Sequence, residues 1–428
     1  MNGVRIDYSL GEYQSAVNSA LEKLRRDKIV ERITAKDYTV WKPAPDEIVN
    51  RLGWLDAPLE SLEKVNFILA IFEPLRGKNF HDVVLLGIGG SSLAPEVFNK
   101  IFGHKTGYPM LHILDTTDPA SISGLAQNLD IGNTLFLVSS KSGTTLEINS
   151  LLKYFYNLCF KNSGISAGRQ FIFITDEGSP LVKTAQNLSA HYTFFSKTDI
   201  GGRYSGLSVT GIVPAAFTGI DVRLLLERTC SHKDELITTG ASLGAALGIL
   251  AQAGRDKLTF ILPQHWEDFG DWLEQLIAES TGKEGKGILP VLDEPLVENS
   301  VYGKDRAFVI FKYKGDKILP QKGSLIKAGH PVITIEINDD YDLGTQMFIW
   351  EMATAVSAHF LGVNPFDQPD VEATKKHTRA MINDYHGKSS KDEKPALKYE
   401  QGEIFGNVSG ATPADVMASF LKQETPGN

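Results

Sequence analysis

Five short segments hold residues whose types and spacing could do chemistry. The richest is Ser139-Ser140-Lys141-Ser142-Gly143-Thr144-Thr145-Leu146-Glu147, which stands where an apolar run ends and a helical pattern begins. Hydroxyls and backbone amides at the positive end of a helix dipole can donate to phosphate oxygens, and the lysine supplies charge. Serine and threonine also cap helices, but one or two hydroxyls suffice for that. Ser140, Ser142, Thr144 and Thr145 exceed the need, so a phosphate cradle is the better reading. The spacing lacks the paired glycines that precede Lys-Ser/Thr in a P-loop, so a nucleoside triphosphate is not the expected ligand.

The other four segments leave alternatives open. Gly87-Ile88-Gly89-Gly90-Ser91-Ser92 also runs from a strand end into a helix, and its glycines serve either a tight turn or the close approach of a ligand. Gly201-Gly202-Arg203-Tyr204-Ser205 offers a guanidinium fork suited to an oxyanion, although taken alone it reads as a surface arginine after a loop. Glu279-Ser280-Thr281-Gly282-Lys283 ends a helical pattern containing Trp272, Leu276 and Ile277. Its glutamate is either an ordinary solvated residue or a carboxylate that moves a proton beside a carbonyl. In Asn364-Pro365-Phe366-Asp367-Gln368-Pro369-Asp370-Val371-Glu372-Ala373-Thr374-Lys375, Gln368 and Lys375 lie seven residues apart. A helix starting near Pro369 puts the lysine about two turns in, facing back toward the loop; the bland reading is a helix-turn-helix corner.

These segments need a frame, and the apolar pattern supplies one. Short apolar runs at 83–88, 110–114, 134–139, 170–175 and 192–196 are, all but the last, followed by helical periodicity, the alternation of a parallel sheet wrapped by helices. A second set at 258–262, 288–292, 307–313 and 332–337, with long helices over roughly 266–279 and 343–361, predicts another α/β sandwich. Residues 11–36 carry Ala16, Leu21, Leu24, Ile29 and Ile33 at helical spacing, which predicts an amphipathic helix. The expected division is an N-terminal helix and arm over 1–60, a first lobe over 61–200, a second over 201–386 and a linker and tail over 387–428. Residues 387–395 read as a solvated linker, and 413–422 as a last helix.

The chain has 428 residues, with 43 Lys plus Arg against 52 Asp plus Glu, a net charge of −9. That length suits two lobes, and mild acidity argues against nucleic-acid binding, so any anion site must be local. Cys159 and Cys230 make no disulfide framework, and Cys/His clusters suited to zinc are missing from the sequence, which points to a reducing compartment. Residues 1–10 lack an apolar signal core, and Glu351 and His359 interrupt the most membrane-like stretch, 343–363. A soluble, cytoplasmic protein without membrane contact is expected.

In this order, over roughly residues 50–385, the five segments resemble the glucose-6-phosphate isomerase (phosphoglucose isomerase) family. The resemblance implies two sugar-isomerase-type (SIS) lobes, each a mostly parallel sheet sandwiched by helices. It also implies interconversion of glucose 6-phosphate and fructose 6-phosphate through an enediolate, without metal or cofactor, by a homodimer. The N-terminal arm is similar to that of compact bacterial members, including the isomerase half of transaldolase/isomerase fusions. By this resemblance Ser140, Ser142 and Thr145 bind phosphate with Lys141 beside them, Gly90 and Ser91 touch the sugar, and Glu147 lines the pocket. Arg203 steadies the enediolate, Glu279 carries the proton between C2 and C1, Gln368 lines the site near the phosphate, and Lys375 helps open the ring.

The sequence departs from the family pattern in several places. Ser92 replaces an aspartate of animal members, Ser142-Gly143 replaces Thr-Phe, and Asp370 replaces a glycine. The family's ring-opening histidine, in a Gly-Gln-His segment after the base, has no counterpart, and His330 reads as a structural histidine at a strand's start. The rival class is a non-catalytic phosphosugar sensor. The pairing of Glu279 with Arg203 and the lack of a basic patch favour the enzyme. Thr281, two positions after the base, raises the further possibility of mannose 6-phosphate as a second substrate.

Overall fold

The computed structural model describes residues 4–76, 80–295, 297, 301–317, 320–384, 394–400 and 402–423, without the side chains of 320, 370, 372, 373, 375, 379 and 382–384. The chain opens on a strand that the sequence reading did not anticipate, β1 (Arg5–Ser9). Its alternation of polar and apolar residues suits a half-buried edge, and it pairs antiparallel with a strand more than 300 residues later, Ile6 opposite Ile335 and Tyr8 opposite Ile333. The expected helix over 11–36 is broken into Gln14–Arg26 and Ile29–Thr34 at Lys28, whose φ is 50°. Val17, Ala20 and Leu24 lie on one inward stripe, whereas Ile29 is five residues on and out of phase with it. The break lets Ile29 and Ile33 also be buried.

The first sheet holds β2 (Asp82–Leu86), β3 (Met110–Leu114), β4 (Thr134–Ser139), β5 (Phe171–Asp176) and β6 (Tyr192–Ser196). Their order is β3-β2-β4-β5-β6, with every pairing parallel. Successive residues enter different cores: Val83, Leu85, Leu135 and Leu137 join the large central core, and Val84, Leu86, Phe136 and Val138 pack with Ile148, Leu151 and Phe155 of the helix Leu146–Ser163. Burial on both faces explains why these strands appear in sequence as unbroken apolar runs.

The second sheet adds β7 (Lys257–Ile261), β8 (Leu289–Val291), β9 (Arg306–Tyr313) and β10 (Val332–Ile337) in the order β1-β10-β9-β7-β8, all parallel except β1. The fold is therefore α/β with two helix-covered parallel sheets, as the alternating pattern requires. Behind the second sheet the helix Leu343–Leu361 lies against Lys233–Gln252. Gly240, Gly244 and Gly248 make that approach close: a Cβ on Gly244 would sit 2.4 Å from the carbonyl oxygen of Ala353.

Compact unit one spans Met1–Asp367 and unit two spans Gln368–Asn428. Unit two holds the helix Pro369–Asp384, an antiparallel hairpin of β11 (Leu397–Tyr399) and β12 (Gly402–Ile404), and the helix Pro413–Leu421. Thr412 and Asp415 form a reciprocal capping box on that last helix. Most of the expected linker at 387–395 lies outside the described residues.

Glu351 lies within the buried helix Leu343–Leu361, only 1 % exposed, with Oε1 making no hydrogen bond. Burial raises its pKa well above the ordinary 4.5. The folded protein thus keeps a proton that the unfolded chain releases, so this group's contribution to stability falls as pH rises above 4.5. Glu351→Gln, which mimics the protonated acid, should melt like the parent near that pH and increasingly above it toward pH 8, by thermal unfolding. A constant difference across the range would contradict the assignment.

Candidate active site

In the first sheet β2 feeds a connection toward β3 on one side, while β4, its neighbour, feeds one toward β5 on the other. The chain leaves the two adjacent strand ends in opposite directions, which opens the crevice where α/β sheets bind ligands. The two loops flanking it are Gly87–Ser92 and Ser140–Thr145, the first two motifs of the sequence. Their placement follows from strand order alone.

The hydroxyl loop is built from the ends of β4 and β5. Thr175 Oγ1 donates to the Ser140 carbonyl at 2.7 Å, and the Asp176 amide donates to that of Lys141 at 3.2 Å. Ser140 Oγ and Thr145 Oγ1 lie 3.0 Å apart, as do Ser142 Oγ and Thr144 Oγ1. Thr145 is the N-cap of the helix Leu146–Ser163, yet its side chain caps none of that helix's amides. The hydroxyls are paired with one another rather than spent on capping, which leaves the positive helix end facing them.

Lys141 turns elsewhere. Its Nζ donates to Asp176 Oδ1 at 2.7 Å and to the Lys197 carbonyl at 2.6 Å, and burial lowers its pKa. Two of its three donors therefore fasten the loop to the ends of β5 and β6, so Lys141 is placed as a brace rather than as the cradle's free charge. Glu147 is exposed on the first helical turn.

The Gly87–Ser92 loop meets the junction between the sheets. A Cβ on Gly90 would fall 2.3 Å from the Gly202 carbonyl carbon and oxygen and 2.9 Å from the Arg203 amide. Only glycine allows this approach. Ser91 is half-buried beside it, and Ser92 is wholly buried with its hydroxyl on the Gly89 carbonyl.

Arg203, expected by itself to be a surface residue, has a side chain only 1 % exposed. Its Nε donates to Ser280 Oγ at 2.7 Å and its Nη2 to the carbonyls of Pro365 at 2.5 Å and Asp367 at 3.3 Å. Nη1 makes no hydrogen bond to the protein and lies 3.3 Å from Glu279 Oε1. Glu279, at 21 % side-chain exposure, reaches toward the opening while the guanidinium does not. The structure thus brings together a carboxylate and an underused, preorganised donor. Beneath them Tyr204 hydroxyl contacts Ser280 Oγ at 3.3 Å and its ring packs on Trp54 and Phe366.

Two polar residues here carry no role from the sequence alone, although Lys283 closes the segment Glu279–Lys283. Gln275, one turn before Glu279, places Nε2 against Gly89, 3.2 Å from where a Cβ would be, and its buried Oε1 has no hydrogen bond. Its signal was the i, i+4 spacing to the glutamate, which puts both on one helix face. Lys283 is the second, a buried amine below the same helix end. Thr281 is fully buried, donating to Ile277 and accepting from the Ile288 amide, so its hydroxyl is used inside the fold.

Gln368 and Lys375 belong to unit two, Lys375 on the helix Pro369–Asp384 with its side chain outside the described residues. His330 is buried just before β10, its ring edge-on to Phe308, and lines a cavity of about 1080 Å³ with Arg255, Tyr13 and Tyr302. Among the described residues no group of acidic, histidine and cysteine side chains could hold a metal, and no helix is long and apolar enough to cross a membrane.

The sequence pattern of the phosphoglucose isomerase family matches residues 69–284, half of the chain. The chain is 28 % identical over 384 residues to a glucose-6-phosphate isomerase of Rubrobacter xylanophilus, covering 77 % of this chain and 89 % of the relative. It is 27 % identical over 376 residues to a probable glucose-6-phosphate isomerase of Methanococcus maripaludis, covering 77 % and 84 %. A Thermus thermophilus structure described as a hypothetical protein matches with a TM-score of 0.72 at 24 % identity, over 89 % of this chain and 100 % of that one. A Chlamydia trachomatis glucose-6-phosphate isomerase matches at 0.68 and 18 % identity, over 90 % and 89 %. These two structural likenesses concern the fold alone.

The approach of the two loops is testable without substrate. Gly90→Ala should cost about 1–3 kcal/mol through overpacking and loosen the turn that carries Arg203. Hydrogen exchange of the amides at 202–205 should accelerate and the melting temperature should fall. Unchanged exchange and melting would mean the loops do not meet as described.

Proposed function

The chain belongs to the phosphoglucose isomerase family, and we propose that it does that family's work, interconverting glucose 6-phosphate and fructose 6-phosphate at the crevice between β2 and β4. The observation that carries the reading is the convergence of Glu279 with the unused Nη1 of Arg203, on a turn that presses against the loop after β2, while the neighbouring strand β4 ends in a hydroxyl loop that no capping explains. Phosphate sits in the loop of Ser140, Ser142 and Thr145, held by hydroxyls and the helix dipole. Gly90, Ser91, Glu147 and Gln275 line the sugar, and Lys141 keeps the loop in place.

In the open-chain sugar Glu279 takes the proton from C2 of the aldose, and the electrons move onto the carbonyl oxygen to form an enediolate. Arg203, already fixed by Ser280 and Pro365, donates toward that oxygen without having to reorganise. One proton passes from O2 to O1 of the enediolate, Glu279 returns its own proton to C1, and C2 becomes the carbonyl of the ketose; the reverse direction uses the same groups. By family pattern alone, Gln368 serves the phosphate end and Lys375 the ring-opening proton transfer. The buried hydroxyl of Thr281 lends no support to breadth toward mannose 6-phosphate.

We read 61–200 and 201–386 as the two lobes, with 1–60 as arm and 387–428 as linker and tail. A homodimeric, cytoplasmic enzyme that binds neither nucleic acid nor membrane, kin to the isomerase half of transaldolase fusions, completes the proposal.

A coupled assay of purified protein with fructose 6-phosphate, following NADPH through added glucose-6-phosphate dehydrogenase, tests it. Glu279→Gln should lower turnover about 10²–10⁴-fold, the range for losing a general base, while phosphosugar binding persists. Near-normal turnover in that variant would remove Glu279 from the role. No rate with the parent protein at millimolar substrate would favour a sensor instead.

A further inference from the structure

Lys283 has no part in the proton transfer described above, yet it is more buried than Glu279 and sits under the same helix end. Its side chain is 5 % exposed, and all three of its donors are used: the carbonyl of Asn364 at 2.7 Å, that of Asp367 at 2.9 Å and Asp367 Oδ1 at 2.5 Å. Arg203 grips the same short strap, through the carbonyls of Pro365 and Asp367. Within the strap the Phe366 amide donates to Asn364 Oδ1, and the Phe366 ring packs on Trp41 and Tyr204. Two buried cations therefore share one row of carbonyls, and one of them is the group placed to receive the enediolate.

We propose that Lys283 is a positioning residue for the isomerase reaction, holding the Asn364–Asp367 strap so that Arg203 keeps its Nη1 beside Glu279. The inference rests on the function proposed above and deepens it. If Lys283 releases the strap, Pro365 and Asp367 no longer fix Nη2, and the fork is free to rotate into a full pairing with Glu279. That rotation would consume both the base and the oxyanion donor at once. Removing this amine also removes a charge from a crowded place. The charged groups acting on it are Asp367, Arg203 and Glu279, while the neighbouring Glu284 is drawn outward to Lys42 and Lys286 donates to the Leu361 carbonyl. Burial lowers its pKa and Asp367 opposes that shift.

The test uses the full-length enzyme with Lys283→Met and Lys283→Arg. The parent must first isomerise fructose 6-phosphate; if it does not, the functional reading fails and this inference is not what has been tested. With an active parent, Lys283→Met should lose about 100-fold in kcat, the scale of a misplaced reacting group. Binding of a non-isomerisable phosphosugar, sorbitol 6-phosphate, should stay within about threefold, because the hydroxyl loop is untouched. The acid limb of its kcat/KM profile should move, since a cation near Glu279 is gone. Lys283→Arg keeps the charge, but its planar fork cannot aim three donors at converging acceptors, so kcat should fall about tenfold with the acid limb in place.

Wild-type kcat in either variant would overturn the proposal. So would a loss in Lys283→Met with no movement of the acid limb, or equal loss of sorbitol 6-phosphate affinity and kcat. If Lys283→Met does not fold, the Lys283→Arg result decides alone.

Discussion

A guanidinium taken out of water must find acceptors for its donors or cost several kcal/mol. Arg203 is almost wholly buried, and its acceptors come from parts of the chain 77 to 164 residues away: Ser280 at the end of one helix, and Pro365 and Asp367 after another. The need to satisfy this one side chain ties the turn after β6 to both helix ends. The same turn presses against Gly90, so the loop after β2 is placed by it too. A single buried charge thereby helps set the relative positions of four of the five chemical segments. The donor it leaves unused faces the carboxylate, where a developing oxyanion would be stabilised most in a water-poor cleft.

The proposed phosphate end rests on different physics. The protein carries a net charge of −9, and the lysine of the hydroxyl loop is drawn aside to Asp176. On the proposed reading an anion there is held by hydroxyls and by a helix end, dipoles fixed in place, rather than by a local positive field. Fixed neutral donors bind a phosphate without pairing tightly to the carboxylates that the chemistry needs nearby. Lys141 still matters, because its bond to Asp176 and the Lys197 carbonyl holds the strand ends that present the loop.

Much of this frame was legible in the residues. Strands buried on both faces announce themselves as apolar runs, and all the runs that were read as strands are strands. The hydroxyl cluster stood out because it exceeds what a cap requires. Arg203 could not be placed from sequence, since the burial of an arginine is decided by distant partners and a glycine-flanked arginine looks the same on a surface. Gly90 remained ambiguous for a related reason: what needs the missing Cβ is the backbone at Gly202. The edge strand β1 was too short to signal itself, and the break at Lys28 showed only as a phase slip between Leu24 and Ile29. Gln275 was readable from its spacing to Glu279, and only the structure turned attention to it.

The most direct test of the central pairing is solvent exchange at the reacting carbons. In deuterated water, NMR of fructose 6-phosphate with wild-type enzyme should show deuterium entering at C1 and C2 of the sugar pool. Arg203→Met should still bind the phosphosugar but lose that exchange by about three orders of magnitude, on the scale found when an oxyanion donor is removed. Exchange at the wild-type rate in Arg203→Met would show that the enediolate's charge is carried elsewhere and that the buried guanidinium serves the fold alone.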